Sequence, residues 1–393
     1  MPEPGPTGPL NPFEGMPLFG DLARLFASQG PLNWDLARQV AVWVATEGRP
    51  EDNVDPVERV GLEELARVAE LHVAEHTGLP TAVAGGMLAV TPVTRSTWAL
   101  RALQDHRDLL ERLATSLAVP GDPDEGTAPD AGTELLGGIA QLLAPVLLGM
   151  QAGFMAGHLS RRSLGQYDVL LPRPPSDEVL VVPANVDEFA DRWALPVDDL
   201  RLWVCLREIT HHAVLGRPHV HERLSDLVGR YVSSFEVDSG GVEARLGEID
   251  PTDIESFQSV LGDPEALLGA IQSDAQRALL PRIGALTAAV TGYVDHVMGS
   301  VGRRLIGSYD QLLEAFRRHL VEESPGDTYV ARLFGLQPDQ AHYDRATAFA
   351  EGVVERAGER ALDRLWSSER ELPTAAEIDA PGLWLARIDL PAD

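Results

Sequence analysis

Lysine is absent from the 393 residues: all 32 basic side chains are arginine, set against 60 acidic ones, and the net charge is −28. Such a charge repels phosphate backbones and anionic lipid. The densest basic clusters are pairs, Arg161-Arg162, Arg303-Arg304 and Arg317-Arg318, too short to reverse it, so nucleic acid and membrane surfaces are excluded as partners. Cysteine occurs once, as Cys205, which rules out an intrachain disulfide and a cysteine-rich zinc cluster. Its apolar surroundings predict an inert thiol. No G-x-G-x-x-G, Walker A or G-x-S-x-G pattern occurs, so the usual nucleotide cradles and the serine nucleophile elbow are missing. The opening residues carry no basic side chain before Arg24 and no apolar run, which predicts a cytoplasmic protein without a signal peptide.

What the sequence does contain is helical periodicity. Leu62, Leu65, Ala66, Ala69 and Val73 mark the apolar stripe of an amphipathic helix. Leu135 to Gly157 carries no charge and is long enough to span a bilayer, yet its glycines and alanines point to a tightly packed buried helix and no membrane span. Val179 to Val182, after a proline-rich stretch, reads as a strand. The expected fold is mainly α, with at most a small β element near 167–184. Pro, Gly and Asp content divides the chain into a Pro/Gly-rich arm at 1–20, an N-terminal helical region at 21–118, a linker at 119–133 and a helical domain at 134–393, with an acidic excursion at 236–264.

One helix carries the most chemistry. Pro196 opens it, Asp198 and Asp199 suit its first turn, and Gly216 with Pro218 closes it. Apolar residues surround it on nearly every side, so it is predicted to be buried. Arg207 and His211 project a turn apart on one face with Glu208 beside them, and charges there are costly unless paired or bound. Arg161-Arg162 beside Tyr167-Asp168 reads as structurally paired.

Glu208-Ile209-Thr210-His211 is the E-x-x-H half of the zincin motif H-E-x-x-H, in which two histidines hold zinc and the glutamate is the general base. Together with residues 159–168 (Leu-Ser-Arg-Arg-Ser-Leu-Gly-Gln-Tyr-Asp), 201–212, 291–298 and 373–387, it resembles the zincin-like metallopeptidase type 2 family, also called coenzyme F420 biosynthesis-associated proteins. The resemblance runs from about residue 135 to the C-terminus. It implies a helical zincin-like scaffold, a zinc ion on three ligands and Glu208 as base. The chain departs from that pattern at two places: Arg207 stands where the motif has its first histidine, and Thr291 where the later block has the glutamate that looks like the third ligand. Guanidinium has no lone pair to offer a metal, so of the three implied ligands only His211 remains.

The expected function is therefore that of a non-catalytic pseudopeptidase that binds a peptide or protein, with no cofactor, Glu208 and His211 being vestiges and Arg207, Thr291, Asp295 and His212 lining the old site. The alternative is an active zinc-dependent peptidase with rearranged ligands, drawn from His211, Asp295 and one of His212, His219 or His221. In place of the metal, Arg207 is expected to bond a carboxylate across the helix contact, Asp295 in preference to its neighbour Glu208, with the Thr291 hydroxyl as a further acceptor.

Overall fold

The structure, a computed structural model, describes residues 30–82, 84–118, 131–237, 270–271, 273–321, 325–336 and 339–390. The expected arm at 1–20, residues 119–130 of the expected linker and residues 238–264 of the acidic excursion lie outside the described residues. In chain order the elements are α1 (Trp34–Thr46), α2 (Pro56–Thr77), β1 (Ala89–Pro92), α3 (Arg95–Asp105), α4 (Arg107–Ala118), α5 (Ala131–Ser160), β2 (Glu178–Val181), α6 (Pro183–Trp193), α7 (Val197–Leu215) and α8 (Pro218–Val232). A two-residue pairing of β3 (Glu236–Val237) with β4 (Ala270–Ile271) precedes α9 (Asp274–Leu305), α10 (Tyr309–Val321), α11 (Pro325–Phe334), α12 (Gln340–Ala357), two 3-10 stretches at 359–366 and 369–371, α13 (Ala375–Asp379) and α14 (Pro381–Ile388). The fold is mainly helical, as the periodicity predicts.

The uncharged stretch forms the body of α5. Gly149, Gly153 and Gly157, spaced by four, all face α1: a Cβ on each would come within 2.5 Å of the Asn33 carbonyl oxygen, 2.6 Å of the Ala37 carbonyl oxygen and 2.5 Å of Val44 Cβ, respectively. Glycine at these positions thus brings two helix backbones together, and Met150 completes a small cluster with Leu36, Val40 and Val44. Among the described residues no helix is long and apolar enough to cross a membrane. The stripe on α2 is also as read, with Leu62, Ala66, Ala69 and Val73 buried. One large core takes side chains from Leu32 to Ile388, so elements from both ends of the chain share it.

The strand expected near 167–184 is β2. Its partner is β1, paired in parallel with Ala89 opposite Glu178 and Pro92 opposite Val181. Residues 163–168, leaving α5, are pinned beside this pair. Val182 N–H donates to the Leu164 carbonyl at 2.9 Å, Leu180 N–H to Gln166 Oε1 at 3.1 Å and Trp98 Nε1–H to the Gly165 carbonyl at 3.0 Å. Helix α7 crosses directly behind this loop. Pro196 is its N-cap and Gly216 its C-cap, and every residue from Trp203 to Leu215 is buried.

The glycine contact yields the first prediction. Gly153→Ala should destabilise the protein by about 1–3 kcal/mol, because the added methyl must push α1 off α5. Urea unfolding followed by circular dichroism measures it, and an unchanged midpoint would contradict the packing described.

Candidate functional site

Loop 163–168 and α7 together make the site. Gly165 lies against Glu208 so closely that a Cβ there would be 2.3 Å from Glu208 Cδ. This approach lets the Tyr167 N–H donate to Glu208 Oε2 at 2.7 Å. The next residue, Asp168, accepts from Arg207 Nη1 at 2.6 Å, and the same Nη1 donates to Glu208 Oε1 at 3.0 Å. Asp168 also accepts from the N–H groups of Leu164 and Gly165, while the guanidinium lies 4.8 Å from the Phe316 ring centroid. Arg207 is 6% exposed and Glu208 0%, so the charges meet inside the core.

In front of Arg207 opens a cleft of about 660 Å³, its open mouth included. Arg207 and His211 line it from α7, Thr287, Thr291 and Asp295 from α9, and His342 and Tyr343 from α12. Asp168, Tyr167 and Phe316 also reach it. His211 Nδ1 lies 3.0 Å from the Arg207 carbonyl. A carbonyl only accepts, so Nδ1 carries the proton and Nε2 keeps the lone pair.

Of the residues picked out in the sequence, Arg207, His211, Thr291 and Asp295 therefore share one cleft. Glu208 sits behind it, tied to Arg207 and the Tyr167 N–H. His212 is turned away, with Nδ1 2.7 Å from Tyr167 Oη, and lines a different cavity together with His221. The expected Arg207–Asp295 bond is overturned. Asp168 arrives on a loop the helix pattern does not reveal and takes the guanidinium first, and Glu208, though adjacent in sequence, is long enough to reach back to the same nitrogen. No described residue hydrogen-bonds Asp295. Arg161 pairs with the acidic Glu47, as expected of the pair, whereas Arg162 bonds the His319 ring and carbonyl; neither lines the cleft. Asp168 and Tyr167 are the site residues that helix periodicity missed, although both stand in the block at 159–168.

The sequence profile of the zincin-like metallopeptidases matches residues 32–385. The chain belongs to this family. The match begins well upstream of residue 135, so the N-terminal helices are part of what the zincin-like metallopeptidases share. Among solved structures, one from Chloroflexus aurantiacus, described as a candidate hydrolase with a novel fold, superposes with a TM-score of 0.65 at 23% identity, covering 92% of this chain and 100% of that one. At that identity the likeness speaks for the fold. No curated protein matches the sequence.

A zincin-like catalytic centre needs three protein ligands around zinc. The cleft offers the His211 Nε2 lone pair, the Asp295 carboxylate and the His342 ring. Arg207 has no lone pair, Thr291 presents a neutral hydroxyl, and Asp168 is engaged by Arg207. Among the described residues no group of three or more His, Cys, Asp or Glu side chains is placed to hold a metal ion. Among the described residues the cleft therefore lacks the three-ligand set that such a zinc requires.

Burial and the nearby Asp168 charge push the Glu208 carboxyl up to about 7, against the pull of Arg207 and the loop N–H groups. Asp168 is less buried and holds the shorter contact to the shared guanidinium. Burial also raises Asp295 to about 6, partly offset by Arg207 and Arg317. Burial and the Arg207 charge drive His211 well below the usual histidine value, so it is neutral.

Two expected outcomes follow. Arg207→Ala strands Asp168 and Glu208 together and should cost about 3–5 kcal/mol near pH 8, and less near pH 5, where Glu208 takes up a proton; equal unfolding midpoints for parent and variant would refute the pairing. Asp295 behaves oppositely. A carboxyl that binds its proton more tightly folded than unfolded gives stability present below the unfolded value of about 3.9 and lost as pH rises to about 6. Asp295→Asn escapes that loss, so above pH 6 it should be more stable than the parent by about 1–3 kcal/mol, with the gap closing near pH 4. Thermal melts across pH 4–8 measure it.

Proposed function

We propose that this chain is a non-catalytic member of the zincin-like metallopeptidases that uses the cleft between α7 and α9 to bind a peptide or protein segment. One observation carries the reading: Arg207, at the position of the motif's first histidine, holds both Asp168 and Glu208 on one guanidinium nitrogen. The glutamate that would serve as general base is thereby occupied by a cation and a backbone N–H. Nothing in the donor set of the cleft would bring the pKa of a bound water down from about 15.7 toward 7, which is what the zinc of such an enzyme supplies. The unbonded Asp295 carboxylate suits a bound segment that carries an amine or guanidinium.

The second reading, an active zinc peptidase with relocated ligands, draws on one feature. The His211 lone pair and Asp295 face the same cleft. His212 and His221 line the other cavity, and among the described residues His342, though it lines the cleft, is not placed with His211 and Asp295 to hold an ion.

Metal analysis and peptide hydrolysis by the purified, untagged chain separate the two. The proposal expects far less than one zinc per chain, no cleavage, and binding of basic peptides that survives a chelator and weakens in Asp295→Asn. Near-stoichiometric zinc that is lost with its hydrolytic activity in His211→Ala would overturn it. Arg207→His combined with Thr291→Glu returns a three-ligand set to the cleft and is expected to take up zinc, read as a metal-dependent rise in melting temperature.

A further inference from the structure

A second cavity lies on the opposite side of Tyr167. It encloses about 790 Å³, its mouth included, between residues 171–176 and the junction of α7 with α8. The lining is largely apolar, with Leu171, three prolines from that strap, Leu215 and Leu224. His221 Nε2–H donates to the Arg173 carbonyl at 2.7 Å, fastening the strap to α8, so the cavity has a tied wall.

Among the described residues, two nitrogens on this lining have no hydrogen-bond partner. His212 is 2% exposed, and its Nε2 is buried without a hydrogen bond. Arg173 donates through Nη1 to Asp105 at 2.6 Å while its Nε has no partner. Burial raises the Tyr167 phenol well above its ordinary value. The phenol keeps its proton, and in the tautomer in which it donates to His212 Nδ1, 2.7 Å away, the ring proton sits on Nε2. Burial holds His212 down at about 4, hence neutral near pH 7. Buried donors left unpaired are rare in folded proteins and call for an explanation.

We propose that this cavity is a binding site for a small uncharged molecule with apolar flanks and a carbonyl oxygen, an amide being the type, and that the carbonyl accepts from His212 Nε2–H. Apolar enclosure with a few fixed polar groups is how small-molecule sites are generally built. The charge pattern selects against an acid. Asp105 already neutralises Arg173, Glu222 lines the cavity, and the Asp177 charge acts on His212, so a carboxylate would enter a negative field.

The test uses the full-length, 15N-labelled chain at pH 7, with N-acetyl-leucinamide and its acid counterpart N-acetyl-leucine as probes. Long-range histidine spectra should show a protonated His212 Nε2 in the free protein and a shift of that nitrogen on addition of the amide. The acid should bind at least tenfold more weakly. His212→Phe should abolish binding; should that variant fold poorly, Ser176→Trp, at the exposed rim of the cavity, should block entry with the core untouched. Equal binding of acid and amide, binding that survives both variants, or no shift at millimolar amide would overturn the proposal.

Discussion

Placing one guanidinium between two carboxylates in the middle of an apolar fold demands that everything around it be held in register. Arg207 can neutralise Asp168 and Glu208 only if the loop leaving α5 approaches α7 to within backbone contact. The absence of a side chain at Gly165 permits that approach, and the hydrogen bonds from β2 and Trp98 fix it. The parallel pairing of β1 with β2 is small, but it is the anchor for the loop that delivers Asp168. An isolated buried charge would be expelled or neutralised. Here the surrounding elements hold the charges in place.

That arrangement also explains the chemistry of the cleft. A nitrogen shared by two acids cannot satisfy both equally, and Glu208, fully buried beside the Asp168 charge, is drawn toward protonation. Asp295, across the cleft, has attraction from Arg207 without a bond to it. A desolvated carboxylate with no partner weakens the fold at neutral pH, and such groups gather where a protein binds something.

Much of this was legible from residue order alone. The limits of α7 could be read from Pro196, the paired aspartates and Gly216, and the close packing of α5 from its glycines, because caps and periodicity are local properties. The convergence of Arg207, His211, Thr291 and Asp295 followed from helical spacing together with the family resemblance. The partner of Arg207 did not. Asp168 acts through a loop whose position depends on a strand pairing between residues separated by almost ninety positions, and no local pattern encodes such a pairing. The direction of His212 was hidden for a related reason. A helix buried on all sides gives no clue to which neighbour each polar side chain meets, so two adjacent histidines with similar surroundings in sequence ended on opposite sides of one tyrosine.

Tyr167 is therefore a party wall. Its ring centroid lies 6.0 Å from that of His211 and 5.9 Å from that of His212, and it borders both cavities. A guest that displaces this ring from either room alters the shape of the other. Thermodynamic reciprocity then requires each guest to change the other's affinity by the same factor. Two hollows are in this way bordered by a single phenol, so any guest that moved it in one would be felt in the other.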